Sequence, residues 1–304
     1  MVSVDKTDPS GPFEARYRAF LETIAALRPA LHRYCTRMTG SVMDGEDVVQ
    51  DALFEAYRKL DQFDDSRPLK PWLFRIAHNR CIDFLRKRGV RVEAETQAMV
   101  PEAFEPAVPQ VLGVGRAVER LVSRLPPKER ASVLLKDVFD YSLEEIAELV
   151  NSTVGGVKAA LKRARTKLAA MNAPLPGPPR KPDPELQRVL ELYVERFNRR
   201  DWDGLRKLIS ADAQVRVCDA FEGPVADAPY FGNYARLSVP WNLAVGQVDD
   251  ESVVVSLRLS EGEWVPYSFV RLDVTGERID RIVDYSHCPW VAQLAEQVAI
   301  ENVS

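Results

Sequence analysis

Between Asn151 and Ala170 the chain carries Lys158, Lys162, Arg163, Arg165 and Lys167 and no acidic residue. Such a run of cations neutralises phosphate, and Lys or Arg side chains can donate to base edges in a major groove. A second set lies in PWLFRIAHNRCIDFLRKR, residues 71–88, where Trp72 and Phe74 precede Arg75, Asn79, Arg80, Asp83, Arg86 and Lys87. Rings stack on unpaired bases while Arg holds phosphate, so this mixture suits single-stranded nucleic acid. The plainer alternative is that Trp72 and Phe74 are core residues. Asp47, Gln50 and Asp51 recur at i, i+3 and i+4. On a helix they share one face, which is either solvated or a docking surface for a basic partner helix. Asp219, Asp284 and His287, with Tyr193, Trp241 and Tyr267 as walls, are a fourth set. A carboxylate in an apolar pocket has its pKa raised and can abstract a proton. These residues face a pocket only if strand alternation points them inward; otherwise they are ordinary polar residues.

The elements that must position these groups follow from periodicity and capping. Ser142 and Glu145 form a capping box at the start of a short helix whose buried stripe is Ile146, Ala147 and Val150. Asn151-Ser152 supplies a turn, since Asn tolerates the left-handed conformation. Thr153 then caps a second helix, Val154 to Leu168, with Val157, Leu161, Ala164 and Leu168 facing the first. A short capped helix followed by a basic one is the arrangement that major-groove docking requires, although an αα-hairpin with a solvated basic face has the same pattern. Upstream, Phe20, Leu21, Ile24, Leu27, Leu31 and Tyr34 predict a helix over 13–38 that ends at Gly40. Val48, Val49, Ala52, Leu53, Ala56, Tyr57 and Leu60 make a broad stripe on a helix over 44–60. Pro71 fits the first turn of a helix over 71–88. Residues 92–115 hold four acids and three prolines and predict a linker. Short helices are expected at 116–124 and 128–139.

Composition narrows the class. The chain has 304 residues, 46% hydrophobic and 28% charged, which predicts soluble globular material in two or three domains. No apolar run approaches the ~18 residues of a membrane span. The N-terminal stretch lacks a basic-then-apolar leader, so a cytoplasmic location and no membrane partner are expected. Four scattered cysteines form no C-x-x-C pair and support neither a disulfide framework nor a metal site, and His287-Cys288 reads as a packed pair. No cofactor is expected. Residues 1–170 carry 27 basic and 24 acidic side chains, residues 171–304 carry 14 and 21. A mildly basic front is thus joined to an acidic back.

In this order, GEDVVQDALFEAYRKL, PWLFRIAHNRCIDFLRKR, LPPKERASVLLKDVFDYSLEEIAELV and TVGGVKAALKRARTKL resemble the extracytoplasmic-function (ECF) sigma factors of the sigma-70 family. The resemblance covers roughly residues 25–170. It implies two all-α modules: sigma region 2 over 13–90 and, after a 91–115 linker, a region 4 helix-turn-helix over 116–170. It further implies that Asp47, Gln50 and Asp51 contact the β′ clamp helices of core RNA polymerase, with region 4 near the β flap. The loop 63–70 and the helix after it would capture the unpaired −10 promoter element through Arg67, Lys70, Trp72, Phe74, Asn79, Arg80 and Arg86. Thr153, Lys158, Lys162, Arg163 and Arg165 would read the −35 element. One departure is visible: Gly155-Gly156 and Ala159-Ala160 stand where relatives often present larger polar side chains, which leaves fewer base-edge contacts.

Residues 171–184 hold six prolines and predict a semi-rigid spacer. Beyond it, Leu186, Val189, Leu190, Tyr193 and Phe197 mark an amphipathic helix over 184–200, and Asp201 caps another. Alternating stretches QVRVCDA, SVVVSLRL, VPYSFVRLD and RIDRIVDY then predict an antiparallel meander with SEGE and TGER turns. FNRRDWDGLRKLISADAQV resembles the start of the SnoaL-like fold of polyketide cyclases and ketosteroid isomerases, which implies an α+β cone over 185–298 with a curved antiparallel sheet. In sigma factors such an appendage modulates activity in cis through contact with the sigma modules. The glycine-rich D-G-G-G-K motif of one such group is absent here. Within the cone a small-molecule sensor is favoured over an isomerase or cyclase, since fold alone confers no chemistry. A plain helix-turn-helix repressor would need neither the aromatic helix nor the polymerase-docking one.

Overall fold

The computed structural model describes residues 12–64, 66–96, 122–170, 183–248, 251–295 and 298–300. Most of the 91–115 linker, the 171–184 spacer and the helix expected at 116–124 lie outside them. The chain divides into two compact units, the first drawn from residues 1–39, 44–94 and 125–167 and the second from the remainder.

Unit one is helical. Helices α1 (Pro12–Thr39), α2 (Val42–Arg58) and α3 (Leu69–Thr96) precede α4 (Pro127–Val133), α5 (Leu143–Leu149) and α6 (Val154–Ala170). Gly45 lets α1 and α2 approach closely, because a Cβ there would lie 2.5 Å from Thr36 Oγ1 and 2.7 Å from its backbone. The apolar stripe of α2 is buried at Val48, Val49, Ala52 and Ala56, whereas Tyr57 is exposed, as is Leu21 of α1. Helix α3 starts two residues before the expected Pro71 and runs on to Thr96. The first residues expected to be linker are therefore helical, the charged run 86–95 being as compatible with a solvated helix as with a loop. The helix expected over 128–139 is α-helical only to Val133. A π turn over Leu134–Val138 follows, closed by the Phe139 N–H to Leu134 O bond and ended by Asp140 in the left-handed region at φ 54°.

The core of this unit is an aromatic knot. Phe74 lies 5.7 Å from Tyr34, 5.6 Å from Phe139 and 5.6 Å from Tyr141, ring centre to ring centre. Tyr34 and Phe139 meet edge to face at 5.8 Å. The Tyr34 hydroxyl lies 2.9 Å from His78 Nδ1. Buried Arg130 donates to Met38 O and, at 3.1 Å, to Leu125 O, so the guanidinium joins the last turn of α1 to the bend before α4.

Unit two is α+β. Helices α7 (Pro184–Asn198) and α8 (Trp202–Leu208) are capped by Asp183 and Asp201, whose carboxylates accept from Glu185 N at 3.0 Å and Gly204 N at 2.9 Å. Seven strands follow: β1 (Ile209–Val217), β2 (Phe221–Pro224), β3 (Trp241–Val248), β4 (Glu251–Ser260), β5 (Glu263–Thr275), β6 (Arg278–Asp284) and β7 (Val298–Ile300). A short helix α9 (Tyr230–Ala235) precedes β3, and α10 (Pro289–Leu294) precedes β7. The sheet order is β2-β1-β6-β5-β4-β3-β7. Strands β4 to β6 are antiparallel neighbours as expected, and β3, which was not among the predicted stretches, extends them; β1 pairs with β6 in parallel, so the curved sheet is mixed rather than antiparallel. The reason is topological: the chain leaves β1 for β2 and α9, enters the meander at its far side, and returns along β1 in the same direction. The expected turns are present, with Glu261 and Gly262 at φ 53° and 88° and Gly276 at φ 60°.

One face of the sheet carries Val215, Leu243, Val254, Val270 and Ile282 in a cluster with Val189, Leu190, Tyr193 and Phe197 of α7. The other carries Val253, Val255, Leu257, Phe269 and Val283 with Cys288 and Val291. Burial on both faces explains the continuous apolar run of β4. Asn198 ties α7 to β3 in both directions, donating to Leu243 O at 2.8 Å and accepting from Leu243 N at 2.9 Å. Phe197 is the hub, with Tyr193, Trp202, Phe231, Tyr234 and Trp241 all within 5.9 Å of its ring centre.

Two outcomes follow. Phe197→Ala destabilises unit two by about 3–5 kcal/mol through the cavity it leaves, read as a shift of one transition in chemical denaturation of the full chain. His78 is buried, and burial lowers its pKa to about 4. The unfolded imidazole binds its proton near 6.5, so stability is complete above that pH and falls as pH drops from about 6.5 to 4, by on the order of 3 kcal/mol in all. Melting curves across this range should slope in the wild type and flatten in His78→Gln.

Candidate nucleic-acid interface

The helix-turn-helix is built by local chemistry. Ser142 Oγ accepts from Glu145 N at 3.2 Å, and the Glu145 carboxylate accepts from Ser142 N at 2.7 Å, completing the capping box. Asn151 takes φ 50° at the turn, and Thr153 Oγ1 accepts from Gly156 N at 3.0 Å, capping α6. A Cβ at Gly156 would sit 2.7 Å from Ser152 Oγ, so a larger residue there would displace that hydroxyl. On α5 the buried residues are Ile146, Ala147 and Leu149; Val150 is only half-buried. On α6 they are Val157, Ala160, Leu161 and Ala164. Ala160 is therefore a packing residue rather than a shortened reader of bases, and only Ala159 of that pair is exposed.

The cations of α6 divide into two classes. Arg163 Nε donates to Glu129 Oε1 at 2.9 Å, Lys167 Nζ to Glu129 Oε2 at 2.8 Å, and Arg165 Nη2 to Asp137 Oδ1 at 2.7 Å. Lys158 and Lys162 are exposed, and their side chains make no hydrogen bond or ion pair among the described residues. No pattern in the sequence announced this split, because Glu129 and Asp137 lie some thirty residues upstream of the cations they hold.

The aromatic set of α3 also divides. Phe74 is fully buried in the knot, which corrects the expectation that it meets nucleic acid. Trp72 is half-buried and packs at a tilt against Phe63, with ring centres 4.7 Å apart and planes 44° apart. Together they line a cavity of about 650 Å³ with Arg67, Arg75, Glu145 and Glu148. Arg75 was one of the cations set beside Trp72 by the sequence, and Phe63, which opens the 63–70 loop, joins it through the loop's return onto α3. Arg67 is exposed and lies 3.8 Å from Glu148 and 3.7 Å from Asp64, while the Lys70 ammonium sits 5.2 Å from the Tyr141 ring centre. Asn79 is exposed, Arg80 donates to Glu55 at 2.6 Å, and Arg86 to Asp83 at 2.7 Å.

On α2, Asp51 is exposed and Asp47 and Gln50 are half-buried. Gln50 Nε2 donates to Glu46 Oε1 at 3.3 Å, and buried Glu46 also accepts from Arg28 at 2.5 Å. A buried polar network therefore orients the base of this face.

The six residues expected around a pocket in unit two are not brought together as one. Tyr193, Trp241 and Asp284 are buried, but as parts of the packed core. Asp284 accepts from the Tyr230 hydroxyl at 2.9 Å, the Tyr234 hydroxyl at 2.6 Å and Ser286 N at 2.7 Å. Trp241 is covered by the Arg200 guanidinium at 3.5 Å. Tyr267 is half-buried beneath Arg258 at 3.3 Å, and Asp219 and His287 are exposed, Asp219 in a left-handed turn at φ 64°. Tyr230 and Tyr234, the partners of Asp284, come from α9, a helix that periodicity did not reveal.

Comparison with known proteins follows this division. Residues 23–91 match the Sigma-70 region 2 family and residues 115–168 the Sigma-70, region 4 family. The chain is 31% identical over 163 residues to the ECF RNA polymerase sigma factor SigW of Bacillus subtilis, covering 49% of this chain and 87% of that one. It is 31% identical over 229 residues to ECF RNA polymerase sigma factor SigG of Mycobacterium tuberculosis, spanning 66% of this chain but 62% of the relative's length. The crystal structure of the M. tuberculosis extracytoplasmic function sigma factor SigJ covers 87% of this chain and 95% of its own, at 17% identity and a TM-score of 0.35. With matched residues falling on the helices that carry the capped helix-turn-helix and the Phe63–Trp72 cavity, the chain belongs to the ECF sigma factors of the sigma-70 family.

Proposed function

We propose that this protein binds core RNA polymerase and directs it to specific promoters, and that unit two modulates this activity in cis. The observation that carries the reading is the capped helix-turn-helix, whose second helix has an acid-free exposed face bearing Thr153, Lys158 and Lys162. In a major groove that face offers donors to base edges while the buried row holds the helix to α5. The second module supplies what a repressor does not need: a ring pair, Phe63 and Trp72, open to a cavity flanked by Arg67 and Arg75. An unpaired base stacks there and its phosphates meet the guanidinium groups. Asp47, Gln50 and Asp51 present carboxylate and amide groups to a basic helix of the polymerase clamp. Module boundaries at 13–90, 116–170 and 185–298 fit this division of labour. Two DNA-reading modules joined by a linker gain avidity when polymerase holds both at their spacing, so the factor alone binds duplex weakly.

For unit two the cis role is favoured over catalysis. Asp284, the carboxylate best placed for proton abstraction, has both oxygens engaged by hydroxyl and amide donors inside a packed aromatic core. That arrangement anchors α9 to β6 and encloses the carboxylate in packed side chains.

Promoter-dependent transcription with core polymerase tests the reading. The full chain should support initiation, and Asp47→Lys with Asp51→Lys should lower core binding about tenfold or more without lowering the melting temperature. Absence of association with core polymerase would sink the proposal. Trp72→Ala should slow promoter opening by roughly fivefold to a hundredfold, the worth of one base stack, with folding intact, whereas Phe74→Ala should cost about 3–5 kcal/mol of stability. A chain ending at Met171 should differ from the full chain in transcript yield; equal yields would remove the cis role.

A further inference from the structure

Glu129 is the third residue of α4, and its side chain is only 6% exposed. Its two oxygens are divided between Arg163 at 2.9 Å and Lys167 at 2.8 Å, residues one turn apart on the same flank of α6. Their own side chains are 55% and 43% exposed, so both cations sit at the surface and are tied inward. An ion pair between two exposed groups is worth little and yields readily to a competing phosphate. Here one carboxylate holds two cations at once and is covered by them, so a phosphate must displace a charge-assisted, two-point contact, not a single exposed pair. Duplex phosphate therefore meets Lys158 and Lys162 first, while Arg163 and Lys167 are withheld.

The number of cations given to phosphate sets sequence-blind affinity and its salt dependence. Withholding two of them weakens attachment to arbitrary DNA without touching the side chains that reach base edges. The same two-point grip fixes the rotation of α6 about its axis, and hence which residues face the groove. We propose that Glu129 is a specificity-determining positioning residue of the promoter-reading helix, holding Arg163 and Lys167 back from the DNA backbone. This rests on the reading of α6 as the duplex-contacting helix.

The test titrates the full chain onto a fluorescent duplex of arbitrary sequence across a salt series. Glu129→Gln should tighten binding at low salt and steepen the log–log salt slope by up to about 1.8, or ~0.9 for each cation released. Arg163→Gln with Lys167→Gln, which keeps hydrogen-bond donors for Glu129, should leave the wild-type slope unchanged. Lys162→Ala should lower it by about 0.9. If the Arg163→Gln, Lys167→Gln pair lowers the slope by about 1.8, those cations already lie on DNA and the proposal is overturned. That variant decides the matter even if Glu129→Gln does not fold. An unchanged slope in a folded Glu129→Gln overturns it equally, provided Lys162→Ala still responds. If neither Lys158→Ala nor Lys162→Ala moves the slope, α6 does not meet duplex DNA, and the underlying reading fails together with the proposal.

Discussion

Unit one depends on the burial of Phe74. Its ring is the common neighbour of Tyr34, Phe139 and Tyr141, side chains from α1 and from the segment that follows α4. Residues more than sixty positions apart thus share one apolar centre, and polar groups beside it are paired: Tyr34 with His78, and the Met38 and Leu125 carbonyls with Arg130. A buried guanidinium bonded to backbone carbonyls is stable only while that geometry holds, since a lost partner leaves an uncompensated charge or carbonyl. The knot therefore fixes where α3 begins relative to α5, and with it the cavity bordered by Phe63, Trp72 and Glu148.

Charge in this protein is apportioned more by burial than by count. Residues 151–170 present five cations in the sequence, yet three of them answer to acids of the scaffold. Arg80 on α3 is likewise tied to half-buried Glu55, whereas the Arg86–Asp83 pair is exposed and yields readily. Paired cations orient helices; the remainder are available to a polyanion. Such a division limits adhesion to arbitrary nucleic acid, the failing of a uniformly basic helix.

Unit two lays helices on a curved mixed sheet and fills the space between them with side chains. Phe197, Tyr230, Phe231, Tyr234 and Trp241 occupy the space between α7, α9 and β3, and Asp284 is the polar centre they enclose. Fold and function separate here for a physical reason: the backbone path tolerates either a cavity or a packed aromatic core, and the side chains decide between them.

Much was legible before any coordinate. The capping box at Ser142–Glu145, the left-handed Asn151, the Thr153 cap and the Asp201 cap of unit two are interactions spanning two or three residues, so the sequence contains both partners. The amphipathic stripes of α2 and α7 were legible because one period describes them, and the family resemblance rests on those same local motifs. The π turn after Val133, the parallel pairing of β1 with β6, the α9 helix and the removal of Phe74 from the list of nucleic-acid contacts were not. Each depends on partners far along the chain: β6 lies some sixty residues beyond β1, and Tyr34 lies forty before Phe74. A local pattern states that a side chain is aromatic or cationic. Whether a ring is stacked in a core or open to a base, and whether an arginine is tied to a carboxylate or offered to phosphate, is decided by what the tertiary structure places beside it, because desolvation and pairing act through space and not along sequence.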